Sequence, residues 1–220
     1  MKALVALWPG SNCDRDAAAA LSRTGWKVTT AWHTQTSIPQ DVDLVLLPGG
    51  FSHGDYLRCG AVASRSPLMS AIKDFAKRGG YVLGICNGFQ ILTESGLLPG
   101  ALVPNSCGHF LCRNVVLQPE GQSLFVKAYA NQPVTFPIAH NDGRFVADEE
   151  TLARLEGEGQ IAFRYLREIP NGSSHRIAGI TSQNGRVLGL MPHPERATDP
   201  LLGGTDGLGL FLALREGINV

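Results

Sequence analysis

An open parallel α/β sheet is the fold class this sequence predicts, and three observations predict it. Lys2–Trp8, Val42–Leu47 and Tyr81–Ile85 are short, apolar-rich runs of the kind that form strands buried on both faces. Helical patterns separate them, at Asp14–Arg23 and Ser66–Arg78. Glycine-rich segments leave the ends of the second and third runs, and ligands bind at the carboxyl edge of such sheets.

The elements follow in order. After strand one, Pro9-Gly10-Ser11-Asn12 turns the chain, and Ser11 or Asn12 is placed to cap the next helix. That helix, Asp14–Arg23, is acidic in its first turn and closes at Thr24-Gly25. Lys27–Trp32 alternates and reads as strand two; Val42–Leu47 is strand three. Pro67 opens the Ser66–Arg78 helix, Leu68, Met69, Ile72 and Phe75 share one face, and Gly79-Gly80 stops it. Tyr81–Ile85 is the next strand, and Phe89, Ile91 and Leu92 recur at helical spacing after it. Leu97–Phe110 reads as loop. The pattern then becomes strand-rich, with candidates at Val115–Leu117, Val134–Ala139, Ile161–Leu166, Ile177–Thr181 and Val187–Met191. Thr151–Leu155 is a short helical piece and Asp206–Gly217 a final amphipathic helix. No repeat, linker or low-complexity tract divides the chain, so residues 1–220 are expected to form one domain.

Bulk properties exclude several function classes. Formal net charge is zero and no basic block is present, which argues against nucleic acid or an anionic membrane as the main partner. No apolar run approaches the roughly 18 residues of a membrane span. The opening MKALVALWPGSNC has too short an apolar part, ending in a turn, to read as a secretory signal. The five cysteines, at 13, 59, 86, 107 and 112, are irregularly spaced and do not suggest a disulfide framework. Cys107-Gly-His109-Phe-Leu-Cys112 lacks a second pair of ligands, so no metal site is expected. A cytoplasmic protein is the expectation.

Chemistry concentrates in three stretches. In Gly84-Ile85-Cys86-Asn87-Gly88 a cysteine stands between a strand and a helix, with glycines two residues away on each side. Small residues there let the backbone turn sharply and project the thiol above the strand end. The helix N-terminus beside the sulfur favours thiolate, the reactive form. Gly49-Gly50 leaves strand three, and paired glycines let backbone N–H groups face a site, as an oxyanion hole requires. In Met191-Pro-His193-Pro-Glu195, Pro194 biases His193 to extended backbone, where residues two apart face the same way. Glu195 can then orient the imidazole and leave its other nitrogen free for a thiol. Taken alone, the cysteine reads rather as a buried structural one and the histidine as part of a surface turn, and the glycine pair fits a flexible loop equally well; together they read as nucleophile, base and orienter beside an oxyanion loop. His140 ends an apolar strand and is placed to line the site, whereas His33, His53, His109 and His175 have no partner evident in the sequence.

With Gly49-Gly50, the elbow extended to Phe89-Gln90, and His193-Pro194-Glu195 in this order, the chain resembles class I (triad-type) glutamine amidotransferases from strand one to the last helix. Trp8–Asp14, Pro48–Arg58 and Gly84–Leu102 are similar to one branch of that family, the glutaminase subunits of phosphoribosylformylglycinamidine synthases. The resemblance implies a flavodoxin-like three-layer αβα fold with a mostly parallel central sheet and a strand-rich C-terminal half. It implies Cys86, His193 and Glu195 as the catalytic triad. Gly49, Gly50, Asn87, Gln90, His140, Asp142 and Gly143 would serve the oxyanion and the substrate, L-glutamine. It implies no cofactor or metal in this chain, with ATP and Mg on a partner synthetase subunit, and a small bridging subunit as a further partner. The absence of a Gly-x-x-x-x-Gly-Lys-[Ser/Thr] loop is consistent with ATP chemistry lying elsewhere. Two departures stand out. The family has Gly-Glu-Gly after the histidine that matches His140, and this chain has Asn141-Asp142-Gly143; the position of His53 is more often aromatic. Other readings stay open at this level: the same chemistry serving CTP, GMP or anthranilate synthesis, a non-enzymatic interaction domain, or a stand-alone γ-glutamyl hydrolase.

Overall fold

The computed structural model describes residues 1–218. The first half runs β1 (Lys2–Leu7), α1 (Asp14–Arg23), β2 (Lys27–Trp32), β3 (Leu44–Leu47), α2 (Pro67–Lys77), β4 (Tyr81–Ile85) and α3 (Asn87–Glu94). The second half runs β5 (Ala101–Val103), β6 (Leu111–Pro119), β7 (Val134–His140), β8 (Arg144–Val146), α4 (Glu149–Gly157), β9 (Ile161–Tyr165), β10 (Ile177–Thr181), β11 (Val187–Leu190) and α5 (Leu208–Gly217).

Nine strands form one sheet in the order β2-β1-β3-β4-β11-β10-β9-β6-β7. The strands from β2 to β11 in that order run parallel. Those from β10 to β7 extend the sheet antiparallel. The parallel part has the doubly wound order 2-1-3-4-5, with β11 in fifth place. Its inner strands are almost wholly apolar because helices cover both faces, and Leu44–Leu47, Val82, Leu83 and Ile85 are buried, whereas edge strand β2 is mostly exposed. Helix α1 packs on α5, while α3 lies across β3, β4 and β11. Thus β3, β4 and β11 bring their carboxyl ends, Gly49-Gly50, Cys86 and His193, to one edge.

The structure corrects several boundaries. Ala101–Val103, expected as loop, pairs antiparallel with Arg144–Val146 in a separate two-stranded ribbon. Strands of three residues are too short to carry a readable alternation. Strand β6 extends well beyond Val115–Leu117, because its pairing with β7 from Leu111 onward engages backbone groups whatever the side chains are. Strand β3 starts at Leu44 rather than Val42, since the Asp43 carboxylate turns away to accept the Lys2 backbone N–H at 2.8 Å. Neither Ser11 nor Asn12 caps α1. Cys13 occupies the cap position without a side-chain bond to the helix, while Ser11 Oγ accepts the Trp8 N–H at 3.1 Å.

Ser66 is the cap that the sequence placed inside α2. Its Oγ accepts the Met69 N–H at 3.3 Å and also the buried Trp8 indole N–H at 2.9 Å. One hydroxyl therefore starts a helix and satisfies a core tryptophan beneath β1. Ser66→Ala is expected to cost about 2 kcal/mol, a lost cap plus an unpaired buried indole donor. Urea unfolding checks this, and a loss below about 0.5 kcal/mol would contradict it.

Candidate active site

The elbow is built by close approach. Cys86 has φ 51° and ψ −107°, a left-handed conformation costly for a residue with a Cβ. A Cβ on Gly88 would meet Leu47 O at 2.1 Å, and one on Gly84 would meet Gly88 O at 2.7 Å. The two glycines thus let α3 descend onto the ends of β3 and β4, and Cys86 carries the turn itself. Its thiol stands at the N-cap of α3 and is almost buried.

The Gly49-Gly50 loop meets the chain leaving β1. Asn12 N–H donates to Gly49 O at 3.4 Å and Phe51 N–H to Gly10 O at 2.9 Å. In an antiparallel bridge bonded in this way, the residue between the bonds turns its own N–H outward, and that residue is Gly50. Gly50 has φ +150°, and a Cβ there would lie 2.6 Å from Gly10 O, so no larger residue fits. Asn87 is the first residue of α3, where an N–H has no partner within the helix. The Asn87 side chain binds the loop instead: its Oδ1 accepts the Ser52 N–H at 3.1 Å.

His193 and Glu195 are 1% and 2% exposed, and Nδ1 lies 2.6 Å from Oε1. The extended backbone foreseen for this stretch is not what brings them together. Pro194–Arg196 form a 3-10 turn, and the turn folds the carboxylate back under the ring. Burial disfavours charge on His193, but the Glu195 carboxylate and the neighbouring Cys86 outweigh it and hold the imidazole well above its ordinary range. Nε2 is buried with no hydrogen-bond partner among the described residues. It is the nitrogen left for chemistry.

Gln90 is buried and spans two elements. Its Oε1 accepts from Asn87 Nδ2 at 2.8 Å, and its Nε2 donates to Asp142 O at 2.7 Å. One N–H and one lone pair remain for a substrate. The Asn141-Asp142-Gly143 departure keeps what the geometry uses. Asp142 Oδ2 accepts the Cys59 S–H at 3.0 Å, and a Cβ on Gly143 would meet His140 Nδ1 at 2.2 Å. Of the two residues that differ, Asp142 keeps the acid and Asn141 is exposed.

Five participants escaped the sequence reading. Asn105 sits in the stretch read as loop, yet its side chain holds the whole 140–143 turn. It donates to His140 O at 2.9 Å, and its Oδ1 lies 3.1 Å from both Gly143 N and His140 Nδ1. Asp55 and Cys59 join Asp142 in a cluster beside Gln90. Burial raises the Asp55 carboxyl, the Cys59 hydrogen bond opposes that, and Asp142 adds to it. Burial and the two carboxylates keep the Cys59 thiol protonated. Cys13 and Arg196 flank the triad; Cys13, His193 and Glu195 each bring one ligand-type atom within 4.8 Å of the others. Only the Asn105 turn had a local signal, Pro104-Asn105. The loop carrying Asp55 is strained, with positive φ at His53, Asp55 and Leu57. Of the histidines without an assigned partner, His53 meets His33 edge-on at 5.3 Å.

Burial, reinforced by His193, pushes His140 down to about 4. Between that value and the ordinary 6.5 the unfolded chain binds a proton that the folded chain refuses. Stability from this group is therefore full above pH 6.5 and falls as pH drops toward 4. Removing it should flatten the acid limb of the stability curve, by roughly 3 kcal/mol at most. Urea unfolding of wild type and His140→Gln at several pH values between 4 and 7 tests this, and parallel curves would refute it.

With this geometry in place, the comparisons are specific. Residues 1–203 match the CobB/CobQ-like glutamine amidotransferase domain. The phosphoribosylformylglycinamidine synthase subunit PurQ of Cereibacter sphaeroides is 59% identical, over 99% of each chain. The PurQ subunit of Thermus thermophilus is 54% identical over 97% of each. A chain of the PurLQS structure from Thermotoga maritima superposes with a TM-score of 0.89 at 44% identity, covering 98% of this chain and 97% of its own. By sequence and by structure, this chain belongs to the CobB/CobQ-like glutamine amidotransferase family.

Proposed function

We propose that this chain is the glutaminase subunit of a phosphoribosylformylglycinamidine synthase. It hydrolyses glutamine to glutamate and ammonia and passes the ammonia to an ATP-dependent synthetase subunit. That subunit uses it to convert formylglycinamide ribonucleotide to formylglycinamidine ribonucleotide in purine biosynthesis. The observation that carries the chemistry is the elbow thiol beside a buried His193 whose Nδ1 is held by Glu195 at 2.6 Å and whose Nε2 is free.

The steps follow from the positions. The Cys86 thiolate attacks the side-chain amide carbon of glutamine and forms the C–S bond. The carbonyl oxygen takes up the electron pair and accepts from the Gly50 and Asn87 N–H groups; a donor of this kind is worth roughly 3–4 kcal/mol in comparable sites. His193, held protonated, gives its proton to the amide nitrogen, and ammonia leaves as the tetrahedral species collapses to a thioester. Water then attacks the thioester with His193 as base, the C–S bond breaks, and glutamate departs. Gln90 and Asp142 shape the end of the pocket away from the thiol. Among the described residues no helix is long and apolar enough to cross a membrane. We place the chain in the cytoplasm, with ATP and Mg bound by the synthetase subunit and a small bridging subunit completing the complex.

Cys86→Ala should abolish ammonia release from glutamine while the complex still makes product from added ammonia. Glutamine turnover persisting in that variant would end the assignment. The isolated chain should turn over slowly, and addition of synthetase, ATP and formylglycinamide ribonucleotide should raise the rate. Equal rates with and without them would contradict the coupling.

A further inference from the structure

We propose that Cys13 is a positioning residue for the His193–Glu195 pair. This rests on the reaction proposed above. Cys13 lies at the N-cap of α1, on a different element from every member of the triad. Its side chain is buried, and its surroundings are specific. The S–H donates to Asn12 Oδ1 at 3.2 Å, and the sulfur accepts from Arg196 Nη2 at 3.0 Å. Arg196 directly follows Glu195, and its Nε donates to Asp16 Oδ2 at 3.2 Å, within the first turn of α1. The turn that carries Glu195 is thus fastened to the start of α1 through a sulfur and a carboxylate.

The sulfur also borders the imidazole. A Cβ placed on Gly49 would lie 2.8 Å from His193 Cε1, 3.0 Å from Cys13 Sγ and 3.4 Å from Cys86 Cβ. Both thiol residues and the ring edge therefore surround one gap that glycine leaves. The ring is otherwise held by Glu195 on Nδ1, while Pro137 O fixes the main chain beneath it by accepting the His193 backbone N–H at 2.8 Å. Rotation of an imidazole about its second side-chain torsion is broad, so contact along the ring edge decides its orientation. A thiol suits this place. It fills volume, and it is a weak donor and acceptor. A hydroxyl would bond strongly to the unpartnered Glu195 Oε2 or to the imidazole and so compete with the pairing it should support. In this proposal Cys13 acts through His193 and Glu195 rather than on the substrate.

The test uses the complex with its synthetase subunit. Cys13→Ala and Cys13→Ser should each lower glutamine-dependent kcat about tenfold, with KM for glutamine within about twofold. Ammonia-dependent synthesis should not change. In the same variants of the isolated chain, the downfield proton resonance of the His193 Nδ1–H bonded to Glu195 should shift or broaden, an effect that a purely structural role would leave unmoved. If either cysteine variant does not fold, the other and Arg196→Lys, which loses the two-point grip on Cys13 and Asp16, carry the test with the same readouts. Unchanged kcat with an unchanged resonance would overturn the proposal, and so would a rise in KM that accounts for the whole loss. Should Cys86→Ala retain full activity, the reaction reading fails instead; the resonance still reports on Cys13 separately.

Discussion

The descent of α3 onto the end of β3 is the constraint from which the site follows. Gly88 packs on the Leu47 carbonyl so closely that a methyl group would lie 2.1 Å from it. The short approach forces the chain to reverse within one residue after β4, and Cys86 takes the left-handed conformation that results. Strain at a non-glycine residue persists only when the surroundings over-determine it. Here they do: β4 is paired on both sides, by β3 and by β11, and α3 is anchored by buried Phe89, Ile91 and Leu92. The core of the sheet holds the thiol in place, and its S–H donates to Ala139 O at 3.8 Å.

Electrostatics then divides the labour among three buried polar groups. Glu195 and His193 share the interior, where an unpaired charge would be costly, and their mutual bond is what makes the burial tolerable. The pair keeps His193 charged against desolvation, while His140, buried nearby without a carboxylate on its ring, is kept neutral. Two histidines at one sheet edge thus hold opposite charge states, with the Glu195 carboxylate and the neighbouring Cys86 making the difference. The Asn105 side chain supports the neutral one, so the ring next to the reaction centre is oriented without adding a second positive charge.

The loops at this edge bind one another as much as they would bind a substrate. Residues 9–13 bridge to Gly49-Gly50, the Asn87 side chain holds the Ser52 N–H, and Gln90 ties α3 to the turn after β7. The ribbon of β5 and β8 adds a brace, since Phe145 stacks on Phe89 with ring centres 6.0 Å apart. Donors aimed at a developing charge work best when they do not have to move, and this mutual bonding supplies that preorganisation.

By itself the sequence determined the parallel core and the chemical cast. Apolar runs covered on both faces leave little choice of fold class, and a cysteine between two glycines at a strand-to-helix junction has few other readings once a His-Pro-Glu leaves a later strand end. Local composition carries such information because it reflects burial and backbone freedom within a few residues. Only the tertiary structure decided the rest. It replaced the expected extended geometry of His193 and Glu195 by a 3-10 turn, and it made a strand of Ala101–Val103. It also brought Cys13, Asp55, Cys59, Asn105 and Arg196 to the site. Those residues come from separate segments, and their partners lie up to 183 positions away, as for Arg196 and Cys13. No local period or propensity encodes such pairings. They arise when β1, β3, β4 and β11 align their carboxyl ends, a consequence of packing the whole sheet.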